Sequence, residues 1–166
     1  MKTQSAKCQE MSQVSTQLNT GVELFQRLSD ILIDERSNLE KRDHASFKAG
    51  TVIKEECLFQ IKHHEKEFNE LLESLQLELG NKTIDSLIDR YDPDQTTPFT
   101  ESALQYRSLL SQCDDLNTIN GRLIQRSQVD ANRLLDLLKG GGKQSQTYTR
   151  KGKTQTNGGK QPIAKA

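Results

Sequence analysis

"VSTQLNTGVELFQRLSDILIDERSNL", residues 14–39, decides the fold. Val14, Leu18, Gly21, Phe25, Leu28, Leu32, Glu35 and Leu39 step alternately by four and three. That spacing keeps every member on one edge of an α-helix and makes a heptad seam. Only Gly21 and Glu35 interrupt its apolar character. Leu24, Ile31 and Ile33 widen the stripe, so the helix is expected to meet more than one partner helix.

The first helix is expected over about residues 10–48. Its pattern thins through "EKRDHASFKAG", and Gly50 is the expected break. A second helix is expected over 51–79, where Ile53, Cys57, Ile61, His64, Phe68, Leu71 and Leu75 repeat the same stepping. Gly80-Asn81 is a good stop signal. A short helix over 81–90 follows. "DPDQTTPFT" then reads as a turn, with Thr97 or Thr100 able to cap the next helix.

The last helix is expected over 100–139. Its stripe runs through Tyr106, Leu109, Cys113, Leu116, Asn120, Leu123, Ser127, Ala131, Leu134 and Leu138. Gly140-Gly141-Gly142 ends it. The pattern therefore predicts an all-α fold: a long antiparallel helical hairpin plus a third long helix, packed as a coiled-coil-like bundle over 1–139. Residues 140–166 are Gln, Thr, Gly and Lys with almost nothing apolar, and are expected to form a flexible, disordered basic tail. No stretch alternates as a strand does, and no repeat unit is present.

Composition agrees with thin packing. Only 33% of residues are apolar, 28% are charged and Trp is absent. The net charge of zero hides an asymmetry. Lys143, Arg150, Lys151, Lys153, Lys160 and Lys165 follow Gly140 with no acid among them, which leaves 17 basic and 23 acidic residues before it. Cys8, Cys57 and Cys113, odd in number and widely spaced, suit neither a disulfide framework nor a zinc pattern. Cys57 and Cys113 fall on apolar stripes and are expected as small buried hydrophobes. The first residues lack the apolar core of a secretory signal, and no run approaches the ~18 apolar residues of a membrane span. A cytoplasmic protein without membrane insertion is expected.

Motifs with possible chemistry fail on geometry. His63 and His64 in "KHHEKE" point about 100° apart on a helix and cannot share a metal on one face. "DPDQTTPFTE" has two aspartates at calcium-loop spacing, but Thr97 stands where the loop needs Gly and Ala103 where it needs Glu. "KGGGKQS" lacks the earlier glycine and the Ser or Thr of a phosphate loop. The carboxylates have basic neighbours one turn on, as Glu23 has Arg27, which is how a solvated helix surface looks. No catalytic residue, metal or cofactor is assigned, and an enzyme is not expected. The basic tail could attract nucleic acid, but it is short, has one aromatic residue and follows an acidic body; a solubilising or linker tail is the better reading.

"NTINGRLI", residues 117–124, is the irregular part of the last helix. Asn120 sits on the seam, and Gly121 within a helix costs about 1 kcal/mol relative to Ala. Close packing with a buried amide that fixes register, a weak spot in the helix, and a tolerated irregularity all fit. Asn117, Asn120 and Gly121 are accordingly candidate structural and register positions.

At this point the C-terminal third, "LNTINGRLIQRSQVDANRLLDLLKG…TYTRKGKT", resembles the FlgN family of flagellar type III export chaperones. Asn117, Asn120, Gly121, Leu123, Ile124, Tyr148 and Gly152 carry the likeness. "LSDILIDERSNLEKRD" and "IKHHEKEFNELLESLQ" resemble the family's first and second helices. Thr149 departs from the acidic residue that often follows the tyrosine. The resemblance implies a cytosolic all-α chaperone without cofactor. It would bind hook-associated proteins of the hook–filament junction (FlgK and FlgL in the family), prevent their premature assembly and deliver them to the export gate protein FlhA. Leu123, Ile124, Leu134, Leu135, Leu137 and Leu138 become the candidate client-binding face. These leucines could instead only close the bundle core. Tyr148, with Arg150 and Lys151, becomes the candidate export-gate docking element. The alternatives are a structural or adaptor coiled-coil protein and, behind it, a nucleic-acid-associated helical protein with a basic tail.

Overall fold

The computed structural model describes residues 2–77, 80 and 82–138, with side chains from residue 7 onward. Four helices follow in order: α1, Lys2–Lys41; α2, His44–Ser74; α3, Thr83–Tyr91; and α4, Pro98–Leu138. There is no strand among the described residues. The chain divides into two compact units, 1–124 and 125–166.

Within the first unit α1 and α2 form an antiparallel hairpin. Lys54 meets Glu35, Arg27 meets Gln60, and His64 meets the Gln17 carbonyl, so α2 descends as α1 rises. The third long helix runs parallel to α1. Cys113 lies against the Phe25 carbonyl and Asn120 against the Leu32 carbonyl. The core follows most of the predicted seam, but Ile53, expected on it, is 49% exposed, and Leu72, Phe99 and Ala103 join the core from outside it. Val14, Leu18, Phe25, Leu28 and Leu32 of α1 pack with Cys57, Ile61, Phe68 and Leu72 of α2 and with Phe99, Ala103, Tyr106, Leu109 and Cys113 of α4. The short α3 adds Ile84, Leu87, Ile88 and Tyr91.

The hairpin turn is not at Gly50, which lies inside α2 with nothing within 4 Å of where a Cβ would stand. The chain reverses eight residues earlier. Arg42 takes a left-handed φ of 56°, and the Asp43 carboxylate caps α2 by accepting from the Ser46 N–H at 3.0 Å and its hydroxyl at 2.8 Å. A capped aspartate ends one helix and starts the next more firmly than one glycine breaks a helix. The expected end of α2 at 79 also moves: the helix stops at Ser74, Gln76 has φ 57°, and Arg90 donates to the Leu75 carbonyl at 2.8 Å. α1 starts near residue 2 rather than 10, since nothing in "KTQSAKCQE" breaks a helix.

α4 begins at Pro98, a residue whose fixed φ suits the first helical position. Asp92 organises the turn before it. Its carboxylate accepts from the Thr96 and Thr97 N–H groups, both at 3.1 Å, and from the Thr97 and Thr100 hydroxyls. These bonds, the Thr100 hydroxyl foremost, hold its carboxyl down at about 2. The second unit contributes the described residues 125–138, all helical. Lys139 and the expected basic tail over 140–166 lie outside the described residues.

Candidate functional site

The two seam positions of α1 that are not apolar each make a specific place for α4. At Gly21 an added Cβ would stand 2.7 Å from Cδ2 of Tyr106 and 2.9 Å from Cε1 of His64. The missing side chain is a notch that admits an aromatic cluster: Tyr106 packs edge-on against Phe25 at 5.4 Å and Phe68 at 5.9 Å between centroids. His64 donates from Nε2 to the Gln17 carbonyl at 2.8 Å and lies tilted against Phe68. A carbonyl can only accept, so Nε2 carries the proton. Burial, with the nearby Glu65 charge, pushes the Tyr106 phenol up to about 12.

Glu35 marks the second place. Lys54 of α2 donates to both of its carboxylate oxygens, at 3.1 and 3.0 Å, and reaches the Asn117 side-chain oxygen at 3.1 Å. Asn120, 1% exposed, donates from Nδ2 to Glu35 Oε2 and to the Leu32 carbonyl, both at 2.8 Å. Three helices thus meet in one polar layer. The Asn120 amide oxygen is buried without a protein donor. Asn117 and Asn120 belong to this layer. Gly121 does not: nothing lies within 4 Å of its would-be Cβ, so the close-packing reading of that glycine fails. Sequence reasoning missed Glu35 and Lys54 as partners, although an acid standing on an apolar seam was the available signal.

The six candidate client-contact residues all lie on α4 but differ in exposure. In the first unit Leu123 and Ile124 are half-buried. In the second unit Leu134 is 61% exposed, Leu135 49%, Leu137 71% and Leu138 83%. None of these four leucines is buried. A stripe with the period of a packed seam stays uncovered there, beside a polar edge where Asp130 faces Arg133 at 3.8 Å. Tyr148, Arg150 and Lys151 lie outside the described residues.

Reactive groups are held in structural roles. Cys57 and Cys113 are buried, and burial raises both thiols above their ordinary value, away from the reactive thiolate. His63 faces Glu67 on the surface at 3.6 Å. Among the described residues no group of three His, Cys, Asp or Glu could hold a metal ion. Among them, too, no helix is long and apolar enough to cross a membrane.

The first unit is a three-helix bundle with a buried polar layer, and the described residues of the second are a helical segment with exposed leucines. The family model described as FlgN protein matches residues 11–156, and the chain belongs to the FlgN family, whose members are flagellar export chaperones. No curated protein and no solved structure matches the chain significantly.

Proposed function

We propose that this chain is a cytoplasmic chaperone for hook-associated proteins of the FlgK and FlgL type. It shields their amphipathic ends from premature assembly and presents them to the cytoplasmic domain of an FlhA-type export gate. The observation that carries the reading is the exposed stripe Leu134, Leu135, Leu137 and Leu138 on a helix whose preceding turns bury the same kind of stripe. An amphipathic client helix laid on such a face removes both apolar surfaces from water without chemistry. Leu123 and Ile124, in the first unit, are proposed client contacts as well. Tyr148 acts as an aromatic anchor at the gate, and Arg150 and Lys151 add salt-sensitive attraction to an acidic surface.

The test is co-purification from cells blocked in flagellar export. The parent chain should bring down hook-associated subunits, and the variant with Leu134, Leu135 and Leu138 all changed to Ser should lose them. Tyr148→Ala should keep the clients and bind the gate more weakly. Permanent partners of another kind, retained by all three proteins, would point instead to the adaptor reading.

A further inference from the structure

We infer that Gly121 is a weak link built into α4, at which the segment after it opens and re-forms while the bundle stays folded. Gly21 shows what a packing glycine looks like in this protein, because two side chains occupy the space a Cβ would need. Gly121 has nothing within 4 Å of that position. No neighbour accounts for it, and a glycine in a helix interior costs about 1 kcal/mol against Ala.

Its place in the helix gives the weakness a direction. Asn120, the residue before it, is the last buried residue of α4 and is tied to α1 by two hydrogen bonds. From Gly121 to Leu138 no residue is buried. A firm anchor and the least helix-favouring ordinary residue are neighbours at the point where burial stops. Segments with few buried apolar contacts supply the low-energy openings of a native protein. The opening unit therefore starts at Gly121 and takes the exposed leucines with it.

Hydrogen exchange read by mass spectrometry on the full chain, with no partner present, tests this. Peptides from 122–138 should exchange faster than those from 103–118. Gly121→Ala, which meets no obstacle, should slow exchange over 122–138 about fivefold, the factor that about 1 kcal/mol represents. It should leave 103–118 unchanged. Gly50→Ala, at another open helical glycine, should leave 122–138 unchanged and so controls for general strengthening. The inference is overturned if 122–138 is as protected as 103–118, if Gly121→Ala leaves 122–138 unchanged, or if it slows the whole bundle alike.

Discussion

Asn120 of α4 donates to the Glu35 carboxylate of α1 at 2.8 Å, although 85 residues separate them in sequence. Each interrupts the apolar run of its own helix, and each supplies what the other lacks. Buried polar positions of this kind specify register at some expense of stability.

Asn120→Ala should therefore destabilise the bundle by about 1.5–3 kcal/mol, the range for a hydrogen bond to a charged group. Urea unfolding followed by circular dichroism gives the value. The loss is partly offset because the orphaned amide oxygen goes too. A neutral outcome would mean that Lys54 alone satisfies Glu35.

Gly21→Ala should destabilise the bundle and Gly121→Ala should not. Ala is the better helix former at both sites. At Gly21 its methyl group meets the Tyr106 and His64 rings, which Phe25 and Phe68 hold in place. Overpacking of this sort costs about 1–3 kcal/mol and outweighs the propensity gain. Thermal unfolding should show a lowered midpoint for Gly21→Ala and a midpoint no lower than the parent's for Gly121→Ala.

Both limbs of the stability–pH curve have an identified group. Asp92 has a folded value of about 2 against an ordinary 3.8, so the unfolded chain takes up the proton first as pH falls. Its contribution is full above pH 3.8 and is lost as pH drops through about 2. Asp92→Asn should flatten that acid limb. Tyr106 stands at about 12 against an ordinary 10.0, so its contribution is full below pH 10 and fades as pH rises towards 12. Denaturant midpoints across pH 2–5 for Asp92→Asn and pH 9–12 for Tyr106→Phe check both; an unchanged acid limb would remove Asp92 from the account.

The seam of α1 was legible because a heptad is a local property: each apolar residue on it predicts the next. The turn was not, because Asp43 sits in "EKRDHAS", where an acid looks like any solvated helix residue and only its bonds to Ser46 reveal a cap. Gly50 misled for the converse reason, since a long helix tolerates one interior glycine at a cost of only about 1 kcal/mol. At the candidate site the sequence showed which residues are apolar. Periodicity, however, is identical for a stripe that another helix covers and one that none does. Leu109, 6% exposed, and Leu138, 83% exposed, cannot be told apart that way.

That pair also separates core from contact surface by experiment. Leu109→Ala removes a buried side chain and should cost about 2–5 kcal/mol through lost burial and the cavity left behind. Leu134→Ser and Leu138→Ser remove side chains that are already mostly in water, 61% and 83% exposed. Each should change stability by no more than about 0.5 kcal/mol, the usual size for surface sites, plus a small helix-propensity loss from Ser. The order should reverse for client binding. On the proposed function a client helix covers the exposed leucines, so their variants should bind hook-associated subunits more weakly while unfolding at the same urea concentration as the parent. Leu109→Ala should bind normally at temperatures where it remains folded. Equal stability losses at Leu109 and Leu138 would put the distal leucines back in the core and leave the client face to be found elsewhere on the bundle.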